Sequence, residues 1–317
     1  MNNRKKILIT GVTGFIGTNL VKELLSRGHK VVGIDNFYAS SRERLQLFAD
    51  EENFRFLEAD IRNPLEIEGE IDQIYNLACP ASPPVYQKEP LYTLETNIMG
   101  MKNVLELAEE KGAKVLQAST SEVYGDPKKH PQKETYWGNV NPVGPRSCYD
   151  EGKRAAETFC LEYFNRGVDV RVARIFNTYG PYMSPDDGRV VTNFITQALN
   201  DEDLTIYGDG EQTRSFCFVD DLVRGLVKFM NYEGELFGPL NLGNPVEYTI
   251  LELADKVLAL LPESSSELTY EPLPEDDPQK RRPDISRAKQ KLSWQPEVGL
   301  EEGLKKTLQY IKYKCSE

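Results

Sequence analysis

Residues 5–20 read KKILITGVTGFIGTNL, and the fold follows from how that stretch divides. KKILIT (5–10) is an apolar, partly β-branched run and predicts a buried strand. Gly11, Gly14 and Gly17 then space a G-x-x-G-x-x-G turn, and FIGTNLVKELLSRG (15–28) carries apolar residues at helical spacing up to Gly28. In a strand–turn–helix context such glycines permit a tight turn and let backbone amides approach a pyrophosphate at the positive end of the helix. The stretch predicts a dinucleotide site at the first strand–helix junction.

The pattern continues downstream. HKVVGID (29–35), FRFLEAD (54–60), IDQIYNLA (71–78) and AKVLQAST (113–120) predict four more strands, and LYTLETNIMGMKNVLELAEEKG (91–112) a long helix. Strands alternating with helices predict an α/β fold, a doubly wound parallel sheet of Rossmann type. The length of 317 residues leaves room for a smaller mixed α/β domain beside it. The larger domain is expected over 1–178 with a return segment at 215–245. The smaller is expected over 179–214 and 246–317, with the site in the cleft between them. Proline-rich stretches at 78–90, 126–145 and 261–284 are expected to be irregular. Loops this long inside a compact domain are usually functional. Residues 285–317 read as short amphipathic helices.

Composition removes several function classes. Fifty acids against 38 bases give a net charge of −12, which speaks against nucleic acid as a partner. No apolar run approaches the roughly 18 residues that cross a bilayer, and the basic start MNNRKK runs straight into a strand, so neither membrane nor secretion is expected. Cys79, Cys148, Cys160, Cys217 and Cys315 are scattered, with no CxxC, as in reduced cytoplasmic proteins. His29 and His130 lack neighbouring ligand sets, so no metal site and no Ser-His-Asp triad is expected.

Three constellations carry chemistry. Asp35 closes the second strand 18 residues after Gly17, where an acid accepts the ribose hydroxyls of NAD and repels the 2′-phosphate of NADP. Arg42 and Arg44 lie a little beyond and keep NADP open. Asp60, closing the third strand, could reach the adenine through side chain or backbone. Tyr149 and Lys153, in SCYDEGKRAAE, are i and i+4 on a helix, where an ammonium favours the phenolate and makes Tyr a usable base. Thr120 ends the fifth strand with a hydroxyl at the sheet's carboxyl edge, and Glu122 follows two residues on.

GVTGFIG, NLACPA, STSEVYGD and YDEGK, in this order, resemble the extended short-chain dehydrogenase/reductase superfamily, whose Ser/Thr–Tyr–Lys set falls on Thr120, Tyr149 and Lys153. NLACPASPPVYQKEP, RIFNTYGP, DDGRVVTNFI, YGDGEQTRSF and DDPQKRRPDI resemble one branch, the UDP-glucuronate decarboxylases (UDP-xylose synthases), over nearly the whole chain. One departure is Tyr182, where that family often has Arg.

The resemblance implies NAD as cofactor and UDP-glucuronate as substrate. Cofactor contacts are expected from Gly11, Gly14, Phe15, Ile16, Gly17, Asp35 and Asn36. Others are expected from Asp60, Ile61, Leu77 and Ala78, with Tyr149 and Lys153 at the nicotinamide end. Asn177, Arg189, Asn193, Tyr207, Arg214 and Arg281 would hold the UDP group, with Arg282 a close rival to Arg281. The implied reaction oxidises carbon 4, loses carbon dioxide from the β-keto acid and reduces the 4-keto-pentose with the retained NADH. Thr120, Glu122, Tyr149, Lys153 and Arg281 would carry it.

Release of the keto-pentose, a nucleotide-sugar epimerase or 4,6-dehydratase, and a non-catalytic NAD-sensing role stay open. Glu122 and the ACPASPP loop speak against an epimerase, and Ser121 before Glu122 against a dehydratase. The intact Thr120, Tyr149 and Lys153 speak against a non-catalytic role. Apolar residues on more than one face of the helices at 91–112 and 149–165 suggest a homodimer, as the superfamily usually forms.

Overall fold

A computed structural model describes residues 4–234, 236–274 and 278–315. Asp276 and Asp277, the start of the DDPQKRRPDI stretch, lie outside the described residues. The opening stretch folds as its sequence predicts, with β1 at Lys6–Thr10, the glycine turn, and α1 at Phe15–Ser26. There follow β2 (Lys30–Asp35), β3 (Phe54–Glu58), β4 (Gln73–Asn76), short helices α2 (Pro83–Tyr86) and α3 (Pro90–Glu95), α4 (Met101–Lys111) and β5 (Lys114–Thr120). A π-turn at Thr96–Gly100 joins α3 to α4, so the predicted long helix exists with a local widening. It ends at Gly112, in the left-handed region at φ 63°. Next come α5 (Ser147–Asn165) and β6 (Val170–Ile175).

The second half of the chain comprises β7 (Thr178–Tyr179), α6 (Val190–Leu199), β8 (Leu204–Tyr207), β9 (Thr213–Ser215), β10 (Cys217–Phe218), α7 (Val219–Met230) and β11 (Leu240–Leu242). Then follow β12 (Glu247–Thr249), α8 (Ile250–Ala259), β13 (Leu268–Glu271), β14 (Lys280–Arg281), α9 (Ser286–Leu292) and α10 (Leu300–Cys315).

Seven strands form one parallel sheet in the order β11-β6-β5-β4-β1-β2-β3. The chain steps outward from β1 in both directions, as a doubly wound sheet does. Alternation along β1 sorts its side chains to two faces. Ile7 and Ile9 join a core that contains Leu20, Val21 and Leu24 of α1 and Leu222 and Leu226 of α7. Leu8 joins the opposite one, with Val104 and Leu105 of α4 and Ala156 and Cys160 of α5. Burial on both faces explains why these strands read as continuous apolar runs.

Two expectations need correction. The stretch at 78–90 contains helical α2, because Pro sits in its first turn, where no intrahelical amide is needed. The stretch at 261–284 contains two short strands. β13 pairs parallel with β8, and β14 pairs with β9, so its prolines punctuate strands rather than exclude them. β12, β9 and β14 form a small mixed sheet with Arg281 in register beside Arg214.

Candidate active site

The carboxyl ends of β1, β2, β4 and β5 converge on one open cleft, as the topology requires. Below its floor the Thr10 hydroxyl donates to Asn76 Oδ1 (2.6 Å), and Asn76 Nδ2 donates to Gln117 Oε1 (2.7 Å), tying three strand ends together. The cleft encloses about 2660 Å³ out to its mouth and adjoins a smaller recess of about 540 Å³. Gly11, Gly14 and Leu77 line both.

The recess is lined by Asp35, Asn36, Asp60, Ile61 and Ala78. The main cleft is lined by Phe15, Ile16 and Gly17 on one side, by Thr120, Glu122, Tyr149 and Lys153 at the centre, and by Asn177, Arg189, Asn193, Tyr207, Arg214 and Arg281 beyond. Residues up to 270 positions apart in sequence thus share one connected space, from Gly11 to Arg281.

The glycine turn shows why its spacing matters. Gly11 adopts φ 70°, and a Cβ there would meet Ala78 Cα at 2.9 Å. A Cβ on Gly17 would press well inside contact distance of the Gly11 carbonyl and reach Val12 Cα at 3.0 Å. α1 starts at Gly14 with no side-chain cap, so its first amides remain available to an anion.

Asp35 accepts from Thr13 N (3.0 Å), Phe37 N (2.9 Å) and the Ser40 hydroxyl (3.0 Å), which fixes its carboxylate in the recess. Arg42 is paired with Glu58 (2.6 Å) and lies over the Phe37 ring, so it is turned from a 2′-phosphate. Asp60 is bound by Arg62 (2.9 Å) and by Asn36 Nδ2 (3.1 Å). Burial opposes its ionisation, but these bonds outweigh it and hold the carboxyl below its ordinary range. With the side chain so engaged, its backbone is the better route to an adenine. A buried acid at the strand end, free helix amides and a cradle without side chains together fit a dinucleotide.

At the centre, Thr120 caps the short turn Ser121–Tyr124, and its Oγ1 accepts from Glu122 N (3.2 Å). Capping and facing the cleft are therefore compatible. Tyr149 is 7% exposed and stacks on Tyr86 with centroids 5.0 Å apart. Lys153 Nζ donates to the Ala118 carbonyl (2.9 Å) and stands 5.7 Å from the Tyr149 ring. Burial pushes the Tyr149 hydroxyl up, against the lowering expected from Lys153. Burial is the largest cause, with Cys79 adding to it, and the hydrogen bond of the Tyr149 hydroxyl to Thr120 offsets only part of it.

Glu122 is the most heavily engaged group. Its Oε2 lies 2.5 Å from Arg146, and its Oε1 lies 3.1 Å from Arg281. Burial opposes its ionisation, but Arg281, Arg146 and Arg214 outweigh that and hold the carboxyl below its ordinary value. Arg281 is 1% exposed and also donates to the carbonyls of Ser121 and Gly125. Arg282 instead points to Glu247 at the surface (3.5 Å), so Arg281 is the one that faces the cleft.

Of the outer set, Arg189 pairs with Asp187 (2.7 Å), and Asn193 Nδ2 donates to the Gly188 carbonyl (3.3 Å). Tyr207 is 43% exposed at the rim. Tyr182 accepts a hydrogen bond from Lys22 (2.8 Å) and packs near Tyr310, so this departure from the family pattern is locally satisfied. Sequence reasoning missed Arg146 and Tyr86, and weighed Arg44 only for NADP. Arg146 directly precedes the SCYDEGKRAAE run, and its position one helical turn before Asp150 was the available signal.

A family model described as GDP-mannose 4,6 dehydratase matches residues 8–307. The chain is 55% identical over 310 residues to UDP-glucuronic acid decarboxylase 1 of Danio rerio, covering 98% of this chain and 73% of that protein. It is 53% identical over 302 residues to UDP-glucuronic acid decarboxylase 1 of Arabidopsis thaliana, covering 95% and 68%. Among solved structures, UDP-glucuronic acid 4-epimerase from Bacillus cereus, in complex with UDP-glucuronic acid and NAD, superposes with a TM-score of 0.86. It is 30% identical, and the match covers 98% of this chain and 99% of that one. The decarboxylase sequences and the dehydratase-family model match along nearly the same span as the fold and cleft described above, and the chain belongs to the UDP-glucuronic acid decarboxylase family of extended short-chain dehydrogenases/reductases.

Proposed function

We propose that this chain is an NAD-dependent carboxy-lyase that converts UDP-glucuronate to UDP-xylose. The observation that carries this reading is Glu122, an ionised carboxylate clamped by Arg146 and Arg281 in the same cleft as Thr120, Tyr149 and Lys153. The names of the relatives support the substrate.

A carboxylate beside carbon 5 has no electron sink until carbon 4 becomes a ketone. When bound, oxidised nicotinamide supplies a positive charge and the acceptor that takes hydride from carbon 4 and later gives it back. Tyr149 takes the proton of the 4-hydroxyl, and the Thr120 hydroxyl shares that hydrogen bond. Lys153, anchored on Ala118, orients the nicotinamide ribose and adds positive charge beside the phenol. After carbon dioxide leaves, Tyr149 and Thr120 donate to the oxygen of the enolate. Glu122 and Arg281 orient the ring and serve the proton returned to carbon 5. Tyr149 then returns a proton to the carbon-4 oxygen. Asn177, Arg189, Asn193, Tyr207 and Arg214 hold the UDP group, arginine offering planar, paired donors to phosphate.

The chain reads as two lobes, 1–178 with 215–245 and 179–214 with 246–317; the shared lining of the cleft supports this division. A homodimer through α3, α4 and α5 is supported by exposed Leu91, Met99 and Leu161 along them. A cytoplasmic setting is supported by the five unpaired cysteines. No helix among the described residues is long and apolar enough to cross a membrane.

The test is incubation with UDP-glucuronate and NAD, with products identified by mass spectrometry. Carbon dioxide and UDP-xylose are expected. Free UDP-4-keto-pentose would mean that the final reduction is lost, and a C4 epimer or 4,6-dehydrated sugar would overturn the reading. Tyr149→Phe should lose NADH formation and carbon dioxide release together; decarboxylation near the wild-type rate would falsify the role of Tyr149.

A further inference from the structure

Six cationic side chains among the described residues line the main cleft: Arg44, Arg146, Lys153, Arg189, Arg214 and Arg281. Arg146 and Arg281 hold Glu122, Lys153 holds Ala118 O, and Arg189 pairs with Asp187. Arg214 lies on β9 beside Arg281, away from the glycine turn. Arg44 differs from all of them. It follows the end of β2, and its Nη1 donates to the carbonyl of Thr13, inside the glycine turn (2.7 Å). It lines the part of the cleft shared with Gly14, Phe15, Ile16 and Gly17, and it does not line the recess of Asp35, Asn36 and Asp60.

Among the described residues Arg44 forms no ion pair. The acids that face it are Asp35 and Asp187, joined by the hydroxyls of Tyr310 and Tyr182. Asp35 is already committed to Thr13, Phe37 and Ser40, and Asp187 to Arg189. A half-buried guanidinium that spends one N–H on a carbonyl and holds no carboxylate has donors left for an anion.

We propose that Arg44 is the side-chain cation that binds the pyrophosphate of the dinucleotide. This inference rests on the cofactor reading above and extends it. The turn and the start of α1 contribute only backbone dipoles, about half a positive charge in sum. A pyrophosphate carries two negative charges, so a full cation at the same turn complements what the helix cannot neutralise. The planar guanidinium can give two parallel donors to phosphate oxygens while a third N–H stays on Thr13 O. Position separates this role from 2′-phosphate recognition, because the ribose acid Asp35 opens into the recess that Arg44 does not line.

The experiment titrates NADH fluorescence on wild type, Arg44→Gln and Arg44→Lys, then displaces NADH with ADP-ribose or adenosine at two salt concentrations. Arg44→Gln should weaken NADH and ADP-ribose by about tenfold to a hundredfold, the range for losing a charge-assisted bond. Adenosine should bind within about twofold of wild type, because it lacks the phosphates. The salt dependence should flatten in Arg44→Gln, and Arg44→Lys should recover part of the affinity. Thermal unfolding of the unliganded variants checks that the turn remains folded. Equal losses for adenosine and ADP-ribose would reduce Arg44 to a brace for Thr13 and overturn the proposal. Unchanged NADH binding in Arg44→Gln would overturn it as well, leaving the cofactor reading intact. A wild-type chain that binds no dinucleotide would overturn both.

Discussion

Arg146→Met removes the shorter of the two ion pairs on Glu122 while keeping the aliphatic bulk. The pair spans 2.5 Å, and the two side chains are 15% and 17% exposed, so solvent screens it little. Removing one partner of a buried pair costs about 3–5 kcal/mol when nothing replaces it. Here Arg281 remains 3.1 Å away on the other oxygen. The expected loss is therefore smaller, about 2–3 kcal/mol, read by urea unfolding at pH 8. Glu122 has a depressed folded-state pKa, so its contribution is present at neutral pH and disappears as pH falls through that value. With Arg146 gone the carboxyl takes a proton sooner, and the acid limb of the turnover profile should move to higher pH. A variant within about 0.5 kcal/mol of wild type, the range of ordinary surface changes, with an unmoved acid limb, would show that the clamp does not govern Glu122.

Three further outcomes follow from the geometry. Gly17→Ala should abolish NADH binding in a fluorescence titration, since the new methyl group drives into the Gly11 carbonyl; retained affinity would refute the tight-turn account. Burial, with Glu122 nearby, pushes the Asp150 carboxyl up to about 8 from 3.8. The folded state then holds a proton that the unfolded chain has released, so stability should fall by about 1.4 kcal/mol per pH unit between those values. Asp150→Asn should flatten that slope in guanidinium melts across pH 5–8, and an unchanged slope would exclude Asp150 as its source. Tyr149→Phe, with the two products followed together, completes the set.

Much of the sheet was legible because its strands are buried on both faces and β1 runs directly into the glycine turn. Gly11, Gly14 and Gly17 announced the tight turn, since a side chain at Gly11 or Gly17 would run into the backbone. The prolines misled in two places. In α2 they occupy a helical first turn, and around β13 and β14 they flank strands too short to show alternation. The electrostatics of the site were the least legible part. Nothing in the spacing of Glu122, Arg146 and Arg281 says that one carboxylate will meet two guanidiniums, because that depends on the register of β14 against β9. The lowering of the Tyr149 pKa expected from Lys153 is outweighed by burial of the phenol, which is likewise set by tertiary packing. An i, i+4 relation places both on one helix face, but it does not tell that the phenol will be buried against Tyr86.

Arg281 reaches back 159 positions to Glu122 and also fastens the backbone of the turn that carries it, through Ser121 and Gly125. This sets an order of assembly. The residues expected to hold the coenzyme all lie between Gly11 and Lys153, and they are synthesised long before residue 281. The turn bearing Glu122 stays unfastened until then. The arrangement of Glu122 thus waits on a two-residue strand near the far end of the polypeptide, a dependence that links one end of the chain to the middle.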